Sequence, residues 1–466
     1  MPKRLKEFFI HHFGHAPPTV AINHQTAHVA SAFYHSGYEN AMCLSYDSHG
    51  DQLSGALAIA TKSKGIKILE TRPGSNSLGI FYATMTSFLG FQPGEDEYKI
   101  MGLAPYGKSG EIDLSFFAKP VADGYLVDHS LIRQDPPPSS VFEQFYGEKL
   151  LKQLGSPRHK GEPVSQFHRN IARSIQDTLV ECAISLVTYL HHETGETNLC
   201  LAGGVALNCS ANSHIANLPF IEKMFVQPAS SDRGLALGCA MYAAEQNGDR
   251  IAPINNVFYG PSYSNDKIRE SLDLTGADAV ECSDPAKSAA KIISEGGIIG
   301  WFQGRSEFGP RALGNRSILA NPSLPNMKNE INKRVKFREE FRPFAPSVLQ
   351  DRASEIFGLY GEPLPYMTIA VKVNDNWLER LPATTHIDNS ARVQTVSEAE
   401  NSVYHQLISN LDNQTGIPVV LNTSFNIRGQ PIVETPLEAI STFAGTGLDA
   451  VFIGPYMIRK KMPVRS

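Results

Sequence analysis

Apolar residues in the first half of the chain follow two patterns, and each pattern predicts a different kind of element. Short apolar runs that end in turn residues predict strands at Thr19–Asn23, Met42–Tyr46, Gly55–Ala60, Asn198–Ala202 and Met224–Gln227. Apolar residues spaced three or four apart predict helices at His24–His35, Leu78–Leu89, Phe167–His191 and Gly234–Asn247. We interpret the glycine-rich Gln92–Lys108 as a loop, and the weakly patterned stretch around Pro136–Pro138 as an insertion or a lid.

The second half repeats this alternation after a turn-rich segment at Asn255–Asn265, which predicts a domain boundary. We therefore expect one domain over residues 1–255 and another over 256–466. In the second domain we predict helices at Asp284–Glu295, Val403–Asp412 and Thr435–Ala444. We predict strands at Gly297–Phe302, Met367–Val373, Ala391–Val396 and Val419–Leu421. Strands that alternate with helices, together with hairpins, predict an α/β and α+β fold class.

The amino-acid composition argues against several classes of protein. The chain has 466 residues, 42% hydrophobic and 19% charged, with a net charge of −5, which is typical of a globular protein without general affinity for nucleic acid or membranes. No run reaches the roughly 18 apolar residues of a membrane span. The six cysteines are scattered without CxxC pairs, which predicts reduced thiols and a cytoplasmic location.

The exception to the acidic balance is the segment Trp301–Pro346. Between Arg305 and Arg342 it holds nine Lys/Arg and four Glu, a local charge of +5. Glycines and prolines punctuate the part from Gly304 to Ser317, so we interpret that part as a cradle for a small anion. For Lys328–Arg342 a solvated helical face is an equally good interpretation. The second-domain candidates for anion or amide binding are Arg311, Lys336, Arg342, Arg392, Asn422 and Ser424.

A metal site is the candidate chemistry of the first domain. His24 and His28 are four residues apart, so on a helix both imidazoles leave from one face. Asp47 and Asp232 each follow a predicted strand, and two histidines with carboxylates form a ligand set for iron or zinc. Helix-surface histidines and capping carboxylates are the alternative. Gln25 stands where the HExxH pattern requires glutamate, which argues against a metalloprotease.

One glycine turn in the first domain is a candidate for nucleotide binding. Asn198–Ala202 runs directly into Gly203, Gly204 and the residues up to Asn208, ahead of a predicted helix. Backbone amides in such a strand–turn–helix unit can hold a phosphate, and simple tight packing is the alternative.

Several long motifs are spread over nearly the whole chain. Those of the second half are GWFQGRSEFGPRALGNRSILA, INKRVKFREEFRPFAP, DNSARVQTV and PVVLNTSFNIRGQPIVETP. Those of the first half are INHQTAHVASAFYHSG, LSYDSHGD, GEDEYKIMGLAPYGK, LAGGVALNCSANSHI and PASSDRGLALGCAMYA. Together these motifs resemble the NodU/CmcH family of O-carbamoyltransferases, which includes tobramycin carbamoyltransferase, and those of the first half are also akin to the universal tRNA threonylcarbamoyl-transfer protein.

The resemblance implies a two-step reaction of secondary metabolism, such as antibiotic biosynthesis. A YrdC-like second domain would condense carbamoyl phosphate with ATP, accompanied by Mg²⁺, to carbamoyl-adenylate and release pyrophosphate. An actin/sugar-kinase-like first domain holding Fe²⁺, with zinc or manganese as alternatives, would pass the carbamoyl group to a hydroxyl of a small-molecule acceptor.

The same resemblance implies roles for individual residues. The carbamoyl phosphate and ATP site would consist of Arg311, Lys336, Arg342, Arg392, Asn422 and Ser424. The three arginines and the lysine would offset the negative charge of the substrates. The metal ligands would be His24, His28, Asp47 and Asp232, and the adenylate loop Gly203, Gly204 and Asn208. Lys328, Lys333, Arg334 and Arg338 keep the solvated-face interpretation.

One departure from the family affects the first domain. Family members begin with a strand pair carrying a His-Asp motif, whereas here His24 stands almost at the start. Either the sequence is a truncated or misannotated product, or the first lobe is incomplete in nature, in which case a homodimer mate or another partner would cover it. The alternatives are a tRNA threonylcarbamoyl-type transferase, disfavoured by the acidic charge, and a non-catalytic nucleotide-binding subunit.

Overall fold

The computed structural model describes residues 3–133, 143–249, 251, 255–359 and 362–460. The stretch around Pro136–Pro138 lies outside these ranges. The strands are β1 Asn40–Gly50, β2 Leu53–Thr61, β3 Gly65–Pro73, β4 Ala118–Val121, β5 Gly124–Val127, β6 Asn198–Ala202, β7 Lys223–Val226, β8 Ala279–Glu281, β9 Ile299–Phe302, β10 Arg316–Ala320, β11 Ala345–Leu349, β12 Ala370–Lys372, β13 Ser390–Arg392, β14 Gln394–Val396, β15 Val419–Ser424, β16 Ala450–Ile453 and β17 Tyr456–Arg459. The helices are α1 Lys3–Phe13, α2 His24–Ser36, α3 Leu78–Phe88, α4 Glu97–Leu103, α5 Glu148–Leu154, α6 Gln166–Thr194, α7 Cys209–Ala216, α8 Leu235–Gln246, α9 Asn265–Thr275, α10 Pro285–Ser294, α11 Met327–Ile331, α12 Ala353–Ile356, α13 Ser402–Thr415 and α14 Pro436–Ala444.

A five-stranded sheet in the order β3-β2-β1-β6-β7 organises the first half. The strands β1, β2 and β3 form an antiparallel meander, and β6 and β7 extend it in parallel. Alternate side chains of β1 and β6 point to opposite faces, as the pleat requires. One face packs on α2 and the other on α3 and α6, so both faces of the sheet are buried.

An eight-stranded mixed sheet in the order β14-β11-β15-β10-β9-β16-β17-β8 organises the second half. Its central strand β15 lies antiparallel to both β10 and β11. The helices α9, α11 and α14 cover one face, and α10 and α13 cover the other. The chain is therefore a mixed α/β protein, as its pattern predicts.

Two sequence predictions of local structure are wrong. Thr19–Asn23 is irregular, because Asn23 instead caps α2 by accepting the amides of Gln25 and Thr26. Gln92–Lys108 contains α4, whose Ile100 and Leu103 are buried. The sequence pattern also does not predict β10, which lies inside the cationic segment, or β11, which begins at the end of that segment, because charged residues obscure the apolar pattern there. Within the described ranges, no helix is long and apolar enough to cross a membrane.

Candidate functional site

Four side chains of the first half meet at the carboxyl end of the central strand. His24 and His28 come from the first two turns of α2, Asp47 from β1, and Asp232 from the turn that follows β7. Their ligand atoms lie within 4.8 Å of one another. His24 Nε2 is 3.1 Å from His28 Nε2 and 3.2 Å from Asp47 Oδ2, while Asp232 Oδ1 is 3.4 Å from His24 Nε2.

These separations fit a shared cation. A tetrahedral ion with ligands at about 2.1 Å places neighbouring donor atoms roughly 3.4 Å apart. Two imidazoles and two carboxylates are the donors that iron, zinc and manganese accept. His28 and Asp47 are buried, whereas Asp232 is exposed, which leaves one side of the group open to solvent. The donor set therefore fits a divalent metal.

The charges within this group shift its pKa values. Burial acts to raise the pKa of Asp47, but hydrogen bonds with His24 and His28 outweigh it and hold that pKa well below its ordinary value. Burial acts to lower the pKa of His28, but contacts with the two carboxylates outweigh it and the pKa is raised. Both shifts indicate that the pocket favours a positive charge between ionised carboxylates.

Backbone groups hold the candidate metal ligands in place. The Gly204 amide donates to Asp47 Oδ1 at 2.9 Å, and the His24 amide donates to Asp51 Oδ2 at 2.9 Å. Gly50 lies directly against the imidazole of His24, and a Cβ at Gly50 would stand 2.3 Å from that ring. The ligand geometry thus depends on the chain around β1 and on the glycine turn after β6.

The glycine turn is closely packed. Gly203 has φ +88°, and a Cβ there would stand 2.2 Å from the carbonyl oxygen of Tyr46. Asn208 caps α7 by accepting the Ala211 amide, and its side chain also exchanges hydrogen bonds with Gln176. The polar groups of Gly204 and Asn208 are therefore engaged within the protein, and their role in adenylate binding stays a prediction.

A second cluster gathers five cations from separate segments of the second half; we call it the cation cluster. Its members are Arg311, Lys336, Arg338, Arg342 and Arg392. The charges of these residues act on one another: burial and then the charge of Arg392 lower the pKa of Arg311, and burial and then the charges of Arg338 and Arg342 lower the pKa of Lys336. Guanidinium groups nevertheless stay protonated at neutral pH. The cluster is a preformed positive site.

Lys336 is a buried member of this cluster. Its ammonium donates to Ser424 Oγ at 3.2 Å, to Asn426 Oδ1 at 2.8 Å and to the Asn426 carbonyl at 3.0 Å, and also contacts the Ser424 carbonyl. Among the described residues it has no ion pair with a carboxylate. A buried cation held only by neutral acceptors is costly unless an anion joins it.

Two charged side chains, half-buried Glu307 and fully buried Arg316, fix the loop that carries Arg311. Glu307 accepts the amides of Leu313 and Asn315 at 2.7 and 2.8 Å. Arg316 is fully buried, stacks on Phe302 at 3.6 Å and donates to the carbonyl groups of Gln303 and Gly304. The loop between β9 and β10 therefore has a defined shape.

Asn422 ties this loop to the sheet. From β15 its amide donates to the Ala312 carbonyl at 3.2 Å, to Ser347 Oγ at 3.1 Å and to Gln394 Oε1 at 3.1 Å. Its Oδ1 atom is buried without a hydrogen-bond partner. The amide of Asn422 thus has a structural role.

Arg342 lies where the two halves of the chain meet. Its guanidinium stacks over the Tyr98 ring at 4.3 Å and lies 3.7 Å from Glu339. Glu339 is in turn paired with Lys99 at 3.3 Å and with Arg428 at 3.5 Å. Tyr98 and Lys99 belong to the first half, so the position of Arg342 depends on both halves.

The metal-type group, which consists of His24, His28, Asp47 and Asp232, lies next to the cation cluster. Arg233, next to Asp232, is close enough for its charge to act on Arg311. On the loop that carries Arg311, a Cβ at Gly309 would stand 3.1 Å from the carbonyl oxygen of Pro228, in the turn that carries Asp232. The structure therefore brings all the arginine and lysine candidates together, and brings the four metal candidates to an adjoining place.

The solvated-face interpretation is wrong for Arg338 and incomplete for Arg334. Arg338 joins the cation cluster, and Arg334 is paired with Asp449 at 2.5 Å. Burial also lowers the pKa of Lys328, whereas Lys333 is exposed as expected. Sequence reasoning also missed Glu307, Arg316, Asn426 and Tyr98. Of these four residues, only Glu307 could have been recognised from the sequence, because it is an acidic residue inside a cationic, glycine-rich loop.

Comparisons with known proteins identify the family. The model described as the carbamoyltransferase N-terminus matches residues 10–241, and that described as the carbamoyltransferase C-terminus matches residues 290–460. Nodulation protein NolO of Bradyrhizobium diazoefficiens is 40% identical over 94% of this chain and 79% of its own length. Nodulation protein NolNO of Sinorhizobium fredii is 38% identical over 94% of this chain, which spans 64% of that relative.

The chain therefore belongs to the carbamoyltransferase family, and it is an enzyme of that class. The resemblance seen in the sequence motifs is confirmed at the level of the family. A solved structure of full-length HypF in a phosphate- and nucleotide-bound form overlaps 49% of this chain and 43% of its own, with 15% identity and a TM-score of 0.29. That overlap is too low to support any further argument.

Proposed function

We propose that this enzyme is an ATP-dependent O-carbamoyltransferase that makes carbamoyl-adenylate at the cation cluster and transfers the carbamoyl group beside the metal-type group. The observation that carries the proposal is the adjacency of the two sites. One site is suited to phosphorylated substrates that repel each other, and the other is suited to activating a small polar group.

The first step would take place at the cation cluster. Water displaces phosphate from carbamoyl phosphate to give carbamate, and a carbamate oxygen then attacks the α-phosphorus of magnesium-bound ATP and displaces pyrophosphate. Arg311, Lys336, Arg342 and Arg392 would hold the phosphate oxygens, because guanidinium and ammonium groups offset the charge that develops on them. The hydroxyl group of Ser424 and the side-chain amide of Asn422 would contact the amide of the carbamoyl group.

The second step would take place at His24, His28, Asp47 and Asp232. The hydroxyl oxygen of a small-molecule acceptor attacks the carbamoyl carbon, AMP leaves, and the hydroxyl proton is lost. A divalent ion, which we propose to be Fe²⁺, would supply Lewis acidity at this place, and the same donors suit zinc or manganese. The exposed side at Asp232 is where the acceptor would approach.

We also propose a division of labour between residues 1–255, as an actin/sugar-kinase-like unit, and residues 256–466, as a YrdC-like unit. The two large sheets support this division, because they share no strand. The meander extended by parallel β6 and β7 supports the kinase-like assignment of the first sheet. The Gly203–Gly204 turn would meet the adenylate as it passes from one site to the other.

The test is an isotope-exchange assay. Protein is incubated with carbamoyl phosphate, ATP and labelled pyrophosphate, and label entering ATP is measured. We expect exchange that depends on carbamoyl phosphate and is lost in Arg311→Ala and Arg342→Ala, with Lys333→Ala as a charge-removing control on the exposed surface. Absence of exchange in the unmodified enzyme, or full exchange in both arginine variants, would overturn the proposal.

A further inference from the structure

One buried amide side chain lies between the two histidines of α2 and has no part in the proposed chemistry. Gln25 is fully buried, and it occupies the position at which the HExxH pattern would have a glutamate. Helix residues at i, i+4, i+7 and i+8 share one face. On α2 that face consists of Gln25, Val29, Ala32 and Phe33, and the last three pack in the apolar core against the sheet. Gln25 is therefore a polar residue in an apolar stripe, at the end of the stripe beside the metal-type group.

The strand that faces this stripe shows the same change from apolar to polar. Alternate residues of β1 point to one face, and one such row consists of Ala41, Cys43, Ser45 and Asp47. Ala41 and Cys43 pack in the same core as the apolar residues of α2. Ser45 is fully buried and comes directly before Asp47 in the row. On the helix and on the strand alike, a buried polar residue thus stands next to a candidate metal ligand.

Gln25 connects the helix with both strands of the adjoining hairpin. Its Oε1 accepts the Ser45 hydroxyl at 2.6 Å, and its Nε2 donates to the Leu53 carbonyl, at the start of β2, at 3.3 Å. Apart from the contacts of the ligands themselves, the bond to Ser45 is the one side-chain hydrogen bond between α2 and β1 in the described part of the chain. Leu53 pairs with Gly50, which lies against the ring of one histidine ligand. The bonds of Gln25 therefore reach both strands beside the metal-type group.

These bonds fix a distance that apolar packing leaves free. Burial of apolar surface is non-directional, so it tolerates small shifts of a helix along a sheet. Hydrogen bonds in a buried place are directional and hold their groups to one geometry. Metal ligands need that precision, because their distances are held to about 0.2 Å. His28 Nε2 is 3.3 Å from Asp47 Oδ2, and these two ligands come from the two elements that Gln25 joins.

We infer that Gln25 is a positioning residue of the metal-type group, which sets the distance between the histidines of α2 and Asp47 of β1 through its bond with Ser45. The inference rests on the proposed function for the presence of a divalent ion. The amide of Gln25 is engaged by the two strands. Gln25 therefore acts through them and is not itself a ligand.

The test measures metal binding without substrates or turnover. Gln25→Met keeps an unbranched side chain of similar length but cannot make the two hydrogen bonds, and Ser45→Ala removes the partner on β1. Ser45→Ala also decides the question if Gln25→Met does not fold. Thr86→Val is the matched control, because it removes a fully buried hydroxyl of the first half that donates to the Tyr82 carbonyl within α3. The probe is Co²⁺: equilibrium dialysis gives its Kd, and its visible absorption reports the number and arrangement of its ligands.

We expect Gln25→Met and Ser45→Ala each to raise the Co²⁺ Kd by about 10- to 100-fold and to change the absorption spectrum, as the loss of a group that orients ligands does. The double variant should resemble either single variant, because both remove the same bond. Thr86→Val should keep the Kd within about twofold and the spectrum unchanged, because its hydroxyl shares no partner with the metal-type group.

An unchanged Kd and an unchanged spectrum in both single variants would overturn the inference and leave the proposed metal site intact. Absence of Co²⁺ binding by the unmodified enzyme would overturn the inference together with the metal-dependent step of the proposed function. Pyrophosphate exchange tests the first step of that function separately, and we expect it to be unchanged in Ser45→Ala.

Discussion

Replacing Gly50 by alanine should remove His24 from the metal-type group while leaving the fold intact. Gly50 ends β1, and a Cβ there would stand 2.3 Å from the Cγ and Cδ2 atoms of His24 and 2.4 Å from its Nε2. Ordinary contact begins at 3.4 Å, so the ring would have to retreat by about 1.1 Å. The His24 side chain is 15% exposed and has room to swing outward, which limits the cost in stability.

The size of this displacement decides the outcome for metal binding. Ligand distances in a metal site are held to about 0.2 Å, so a shift of about 1.1 Å removes the His24 nitrogen from the coordination sphere. Changes to groups that merely orient ligands cost about 10- to 100-fold in affinity, and loss of a ligand costs at least as much. We therefore expect Gly50→Ala to weaken Fe²⁺ binding by about 100-fold or more.

Anaerobic equilibrium dialysis against Fe²⁺, with metal measured by mass spectrometry, gives the Kd directly. Gly445→Ala is the matched control, because Gly445 has φ −82° and a Cβ there would meet its nearest neighbour at an ordinary 3.5 Å. Circular dichroism checks that both variants fold. A folded Gly50→Ala protein that binds Fe²⁺ as tightly as the unmodified enzyme would refute the geometry assigned to His24.

Two further predictions concern buried charges and pH. Glu307→Ala leaves the amides of Leu313 and Asn315 without their acceptor. We therefore expect urea titration to show a loss of about 2–4 kcal/mol in unfolding free energy, together with weaker pyrophosphate exchange. The control Glu330→Ala removes an exposed carboxylate and should change the unfolding free energy by under about 0.5 kcal/mol. Burial lowers the pKa of His35 to about 4, so the unfolded chain binds a proton that the folded protein does not between that value and the ordinary pKa of about 6.5. Stability should be full above pH 6.5 and fall by about 2 kcal/mol by pH 5, and His35→Phe should lack that part of the decline. Equal pH dependence in both proteins would contradict the assignment.

The periodicity of the chain predicts those parts of the fold whose side chains are mostly apolar. The helix over His24–His35 and the strand at Asn198–Ala202 are both found, because each buries a continuous apolar face. The strand β10 was hidden, because Arg316 lies in it as a fully buried charge satisfied by carbonyl groups. Local pattern cannot reveal a partner that lies far away in sequence.

Residue types and spacing predicted the members of the candidate sites better than their arrangement. The four-residue spacing of His24 and His28 follows directly from helix geometry, so the pair could be proposed from sequence. Arg338 could not, because residues two apart on a regular helix point to different faces, and the left-handed conformation of Phe337 between it and Lys336 is not visible in the sequence. The dual contact of Arg342 with Tyr98 and Glu339 likewise depends on tertiary structure.

The proposed reaction depends on carbamoyl-adenylate, which mass spectrometry of a rapidly quenched reaction can detect. The enzyme is mixed with ATP, Mg²⁺ and either ordinary or ¹³C-labelled carbamoyl phosphate, and no acceptor is added. We expect a carbamoyl-AMP ion that is heavier by one mass unit with the labelled substrate, pyrophosphate in equal amount, and neither product from Arg342→Ala. Conversion of ATP to ADP without carbamoyl-AMP or pyrophosphate would contradict the proposed reaction.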